Sequence, residues 1–143
     1  MKAALSYCLI LFVMTLAGCP NYAGYERSIR ASGVQTGEYR KINAEEAKKM
    51  MDDGEAWILL DVRTQEEYSD RRIDGARLIP DYEIKGRAEA ELPDKNARIL
   101  VYCRSGRRSA QAAKDLAEMG YTKVYDFGGI IDWPYGMISD ANP

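Results

Sequence analysis

Cys103 closes the apolar run Ala97–Tyr102 and is followed by Arg104, Ser105, Gly106, Arg107, Arg108 and Ser109. An unperturbed thiol titrates near ~8.5, so only a few per cent is nucleophilic thiolate at neutral pH. Histidine is the common activating base, and the chain has none. Ser-His-Asp triads, Cys-His dyads and histidine-held metals are thereby excluded. Fixed charge and backbone amides remain as activating devices. Arg104, Arg107 and Arg108 keep their charge at any physiological pH and bind anions in a bidentate way. If Cys103 lies where a buried strand stops and a helix starts, unpaired helical N–H groups point at its sulfur and the helix dipole adds positive potential. Ser105-Gly106 permits the tight turn this requires. The device that lowers the thiol pKa would also hold an anionic substrate. The plainer alternative is a packed thiol beside a solvated charge cluster.

The flanking elements must supply that junction. "ARILVY", residues 97–102, reads as a buried strand, and Ser109 to Met119 as a helix with Ala110, Ala113, Leu116 and Ala117 on one side and Gly120 ending it. Upstream, Tyr39–Ile42 is a short strand. Asn43 and Glu46 form a capping box for a helix whose Ala44, Ala47 and Met51 share one face. "AWILLDV", 56–62, is a near-continuous apolar run of the kind that parallel sheets bury. "TQEEYSD" predicts a short helix, "GARLIP" a third strand, residues 81–92 a helix, "TKVYDF" a fifth strand, and Ile130–Trp133 a last short helix. Alternation of strand and helix defines an α/β fold with a mostly parallel sheet. Ligands of such sheets bind outside the carboxyl ends of the strands. Asp61 and Arg63 reach the same edge as Cys103. Asp61 would either pair with a loop arginine or cap the next helical turn. Glu67 is assigned to the structural network, and Trp57 and Trp133 to core or rim packing.

The chain has 143 residues and a net charge of −2, so no global field points to nucleic acid or an anionic membrane. Of three cysteines, Cys8 and Cys19 lie in the N-terminal segment, so no disulfide within the domain is expected. "MKAALSYCLILFVMTLAGC" has one Lys and then a short uncharged apolar run, which fits a signal peptide over residues 1–18 better than a membrane span. Leu16-Ala17-Gly18-Cys19 resembles a bacterial lipobox. That resemblance implies lipidation of Cys19, a tether over 19–37, and a membrane-anchored domain facing the periplasm or cell exterior.

Three motifs in order resemble a single rhodanese domain over residues 38–138: "LLDVRTQEEYSDRRIDGARLIP", "VYCRSGRRSAQAAKDLAEMGY" and "VYDFGGIIDWPYG". The resemblance implies a five-stranded parallel sheet flanked by helices. It also implies transfer of a sulfane sulfur from a donor such as thiosulfate to a thiophilic acceptor, through a persulfide on Cys103. The amides of Arg104 through Ser109 would cradle the outer sulfur, and Arg108 would face the pocket. No metal or cofactor is implied, and the partners are a small anionic donor and a thiol or other thiophile. Phosphatases and arsenate reductases of related fold carry the arginine one place later in a longer loop, whereas here position 109 is Ser. A rhodanese fold kept only for binding is the other alternative. In place of the family's frequent Gly-His before Ile73, this chain has Arg71-Arg72.

Overall fold

The computed structural model describes residues 37–141. The signal read over 1–18, Cys19, and the tether as far as residue 36 lie outside the described residues. Gly37 is already packed: its N–H donates to the Ala117 carbonyl at 3.0 Å.

Five strands form one sheet: β1 (Tyr39–Lys41), β2 (Ile58–Asp61), β3 (Arg77–Leu78), β4 (Arg98–Cys103) and β5 (Lys123–Gly129). Their spatial order is β1-β5-β4-β2-β3, and every neighbouring pair is parallel. Parallel neighbours need crossovers, and helices α1 (Ala44–Asp52), α2 (Gln65–Asp70), α3 (Ile84–Glu91) and α4 (Arg107–Glu118) supply them. The α/β class read from the alternation therefore holds, and the sheet is wholly parallel apart from an isolated antiparallel bridge between Arg72 and Ile138.

Side-chain alternation along the strands separates two cores. Leu60, Val62, Ile99, Val101 and Cys103 point to one face, where Ile84, Ala88 and Leu92 of the α3 segment and Ala112, Ala113 and Leu116 of α4 cover them. Leu59, Leu100, Tyr102 and Phe127 point to the other, against Ala47, Ile130 and Trp133. Burying each such aliphatic side chain contributes about 1.5–3 kcal/mol. β4 lies between β5 and β2, and its last five residues are buried. The residue that carries the thiol thus ends the best-supported strand of the sheet.

Local signals placed most elements well. Asn43 and Glu46 do form a reciprocal capping box, with Glu46 N–H donating to Asn43 Oδ1 at 2.8 Å. Four elements depart from that reading. β3 is only two residues long because it is an edge strand with β2 as its one neighbour. The segment after Pro80 enters as a 3-10 turn (Asp81–Glu83) before α3 begins. The last short helix is likewise a 3-10 turn, Ile130–Asp132. α4 begins at Arg107 rather than Ser109, because Gly106 takes a left-handed conformation at φ +98° and turns the chain straight into the helix. Within α4, Ala112 is fully buried while Ala110 is only half-buried.

Candidate active site

The carboxyl end of β4 sets Cys103 at the mouth of a tight loop, Arg104–Gly106, that runs into α4. The residue is 1% exposed, so only an atom projecting into the loop can reach its sulfur. The Gly106 N–H donates to Sγ at 3.1 Å. Burial pushes the Cys103 thiol up. The N–H and hydroxyl of Ser109, then the N–H groups of Gly106 and Ser105, outweigh that and leave it below its ordinary value. Amide dipoles and one hydroxyl are thus the main activators, and the arginines are not among the leading causes. Ser109, fully buried, also places Oγ 3.1 Å from the Gly106 carbonyl and 3.2 Å from that of Gly128. It ties the loop to β5 while facing the sulfur.

The end of β5 shapes the loop from beneath. Val101 pairs with Asp126, but Cys103 pairs with Gly129, so β5 carries one extra residue over this stretch. Gly128, at φ +89°, takes up that bulge, and its N–H donates to buried Asp126 Oδ1 at 3.0 Å. The shift delivers Gly129 against the loop backbone. A Cβ there would lie 2.5 Å from the Arg104 oxygen and 2.7 Å from the Ser105 Cα. Only glycine lets the two backbones approach this closely.

The three arginines have different fates. Arg108 is half-buried and donates both terminal nitrogens to Glu67, to Oε2 at 2.7 Å and Oε1 at 2.9 Å. Glu67 also caps α2 with Thr64, whose N–H reaches Oε2 at 3.2 Å. The Arg108 guanidinium, together with the Thr64 N–H, holds the Glu67 carboxyl down at about 2 against an ordinary 4.5. The pair has a clear physical reason. Arginines in the first turn of a helix oppose its dipole by about 0.3–1 kcal/mol each, and a carboxylate across from one offsets this. Arg104 and Arg107 are exposed and have no acidic partner among the described residues.

Asp61 does neither of the things the sequence suggested. It is fully buried and accepts from its own near neighbour Arg63, with Nε at 2.9 Å from Oδ1 and Nη2 at 2.6 Å from Oδ2. No loop arginine reaches it, and Thr64 caps the following helix instead. Arg63 lies 5.7 Å from the centre of the Tyr102 ring and also donates to the Arg71 carbonyl. Burial, then the Asp61 carboxylate, pushes the Tyr102 hydroxyl up, so it stays a donor. Asp61 and Arg63 therefore brace the floor beneath the site. Glu67, assigned only to structure, is the residue that fixes an arginine, Arg108, in the first turn of α4. Its Thr64-x-x-Glu67 spacing was a visible capping signal, but its second partner was not.

Beside the loop lies a cavity of about 450 Å³, walled by Arg63, Glu67, Arg71, Arg104, Ile131 and Met137 among others. Arg72 turns away from it, sitting 4.7 Å over the Tyr68 ring and pairing with Asp140 at 2.6 Å. The pair that replaces Gly-His thus divides its work: Arg72 clamps the C-terminal segment and Arg71 faces the cavity.

A parallel sheet between helices, with a thiol of lowered pKa held by amides at the carboxyl end of its central strand, defines a cysteine-centred site of α/β type. Residues 43–134 match the model of the rhodanese-like domain, and the chain belongs to that family. It is 47% identical over 78 residues to the thiosulfate sulfurtransferase PspE of Escherichia coli strain K12, spanning 54% of this chain and 73% of that protein. It is 37% identical over 94 residues to a sulfurtransferase of Allochromatium vinosum, spanning 65% and 86% respectively. Among solved structures, a rhodanese with anions from E. coli superposes with a TM-score of 0.56 at 42% identity, covering 59% of this chain and 99% of that one.

Proposed function

We propose that this chain is a sulfurtransferase that moves a sulfane sulfur through a persulfide on Cys103. The observation that carries the proposal is the lowered, recessed thiol at 3.1 Å from the Gly106 N–H. The thiolate attacks the outer sulfur of a donor such as thiosulfate. A new S–S bond forms to Sγ, the donor's S–S bond breaks, and its electron pair leaves with sulfite. An acceptor nucleophile then takes the outer sulfur, and the electron pair of the broken bond returns to Sγ. Sulfite and thiolate both leave as stable anions, so a general acid is not required and the lack of histidine is no obstacle. The cradle of Ser105, Gly106 and Ser109 donors stabilises the charge that the outer sulfur carries. On the same proposal, residues 1–18 are a cleaved signal and Cys19 carries the lipid that anchors the domain outside the cytoplasm.

One measurement tests both parts. The full chain is purified from membranes in detergent and its intact mass is read before and after thiosulfate. A thiosulfate-dependent gain of about 32 Da that a reductant removes supports the activated thiol. A mass starting at acylated Cys19 supports the anchor. No gain with either thiosulfate or polysulfide sinks the sulfur-transfer reading, and a chain retaining Met1 sinks the anchor.

The Glu67 pair makes a sharper claim about donor binding. Arg108→Ala removes one positive charge and leaves the Glu67 carboxylate uncompensated beside the pocket. The KM for thiosulfate should rise about tenfold, and adding Glu67→Gln should recover much of the loss. A KM that Arg108→Ala leaves unchanged would place this pair outside donor binding.

A further inference from the structure

We infer that Asp126 acts as a positioning residue for Cys103: its carboxylate clamps the bulge of β5 on which the catalytic loop rests. Its effect on turnover rests on the sulfur-transfer reading, while its effect on the thiol is readable without it. Among the described residues, Asp126 Oδ2 is the one buried side-chain nitrogen or oxygen with no hydrogen-bond partner. The residue is fully buried, in the middle of a strand. Polar groups so placed are nearly always paired, so an orphaned one calls for an explanation. Packing does not supply it. Tyr125 and Phe127 face the core that holds Trp133, so alternation turns Asp126 to the opposite face, with Val101, Cys103 and Val124. An apolar side chain there would pack among these neighbours and leave no oxygen stranded.

What Asp126 supplies is its other oxygen. A bulge leaves a residue out of the ladder, and the Gly128 N–H within this one goes to Asp126 Oδ1 at 3.0 Å. The bulge then bears on the catalytic loop and its helix at three points. The Gly128 carbonyl lies 3.2 Å from Ser109 Oγ. The Gly129 backbone lies against Arg104 and Ser105 with no room for a Cβ. Just beyond, the Ile131 N–H reaches the Arg104 carbonyl at 3.4 Å. The loop so seated aims the Gly106 N–H at Sγ. Two of these three contacts are backbone on backbone, and the third uses the Gly128 carbonyl, so the aim of the loop depends on the conformation of the bulge. Two consecutive glycines give that bulge the least intrinsic stiffness, and Gly128 holds φ +89°. Asp126 fixes it from within the strand.

The thiol reports on that seating. Its pKa is lowered by the Ser109, Gly106 and Ser105 donors, all of which sit in or just after the loop. The charged groups near it on the same face are Arg108 with its partner Glu67, and Asp81 close to Arg108. Asp61 and Arg63 lie with Tyr102 toward the other face. All of these remain when Asp126 alone is replaced, so a changed titration of Cys103 reads the loop and its donors.

The test is the pH profile of alkylation. The full chain in detergent is treated with iodoacetamide across pH, and the peptide carrying Cys103 is read by mass. Asp126→Ala frees the Gly128 N–H, so the midpoint of the profile should rise and alkylation below it should slow about tenfold. Asp126→Asn keeps an oxygen for that N–H and should restore the wild-type profile. Asp115 is the control for losing a buried carboxylate: it accepts from Gln111 at 3.0 Å and pairs with Lys85 at 3.2 Å. Asp115→Ala should lower the unfolding temperature and leave the profile in place. If Asp126→Ala does not fold, Asp126→Val, a strand former that fills more of the same space, carries the same expectation. An unmoved profile in the Ala or Val variant overturns the inference. So does an Asn variant as slow as Ala, or a control that shifts the profile equally. Thiosulfate loading should slow in step with alkylation. A wild-type thiol that alkylates readily but never gains sulfur would overturn the sulfur-transfer reading, and the alkylation result would still decide the role of Asp126.

Discussion

Cys103→Ser is expected to abolish sulfur loading and leave the fold intact. The serine hydroxyl can still accept the Gly106 N–H that now reaches Sγ at 3.1 Å, so the buried polar atom keeps a partner and the cost should stay at about 1 kcal/mol. What disappears is the thiolate. A hydroxyl cannot be ionised by the amides and hydroxyl that lower a thiol, and the chain holds no histidine to act as a base. Intact mass should show no thiosulfate-dependent gain, and discharge to cyanide should fall to the background rate. Thermal unfolding should move by only a few degrees. Retained transfer in this variant would mean that another group is the nucleophile. A collapsed fold would mean that the thiol is there for packing.

Gly129→Ala should damage the site without touching a reacting group. Its Cβ would press on two backbone atoms, Arg104 O and Ser105 Cα, which cannot swing aside as a side-chain tip can. The loop must lift, and a displacement on the order of 1 Å in a positioning element costs about 10²-fold in rate. Overpacking of this kind should also cost about 1–3 kcal/mol of stability. Gly86→Ala is the matched control: its Cβ meets nothing within 4 Å and lies within α3, so activity should be unchanged. Alkylation of Cys103 by iodoacetamide offers a readout independent of any sulfur donor, and should slow in Gly129→Ala as the amide cradle opens. A wild-type rate in that variant would show that the close approach is incidental.

What was legible in the sequence was local or periodic. The buried runs named β2 and β4, and the Asn43–Glu46 spacing named the start of α1, because each is decided by residues within one turn or one strand. The thiol's placement at a strand-to-helix junction was legible for the same reason. The ion pair of Glu67 with Arg108 was not, since it joins residues 41 apart whose meeting depends on the order of β2 and β4 in the sheet. Asp61 was read as pairing with a loop arginine or capping the next helical turn, and its near neighbour Arg63 was not weighed as a partner. A two-residue separation and a shared buried floor favour Arg63. Of the two activating devices read at the strand-to-helix junction, the N–H groups carry most of the effect, and the Ser109 hydroxyl joins them where arginine charge was expected. The bulge that seats Gly129 leaves only a Gly-Gly dipeptide as its trace.

Strand order has a temporal consequence. β1, the earliest strand of the described domain, pairs only with β5, the last, and β5 also supplies the glycines under the catalytic loop. A growing chain that has not yet delivered residue 129 lacks both the sheet's closing seam and the backbone that Gly129 lays against the loop after β4. The seam that completes the sheet and the support under that loop therefore arrive together, with the final strand.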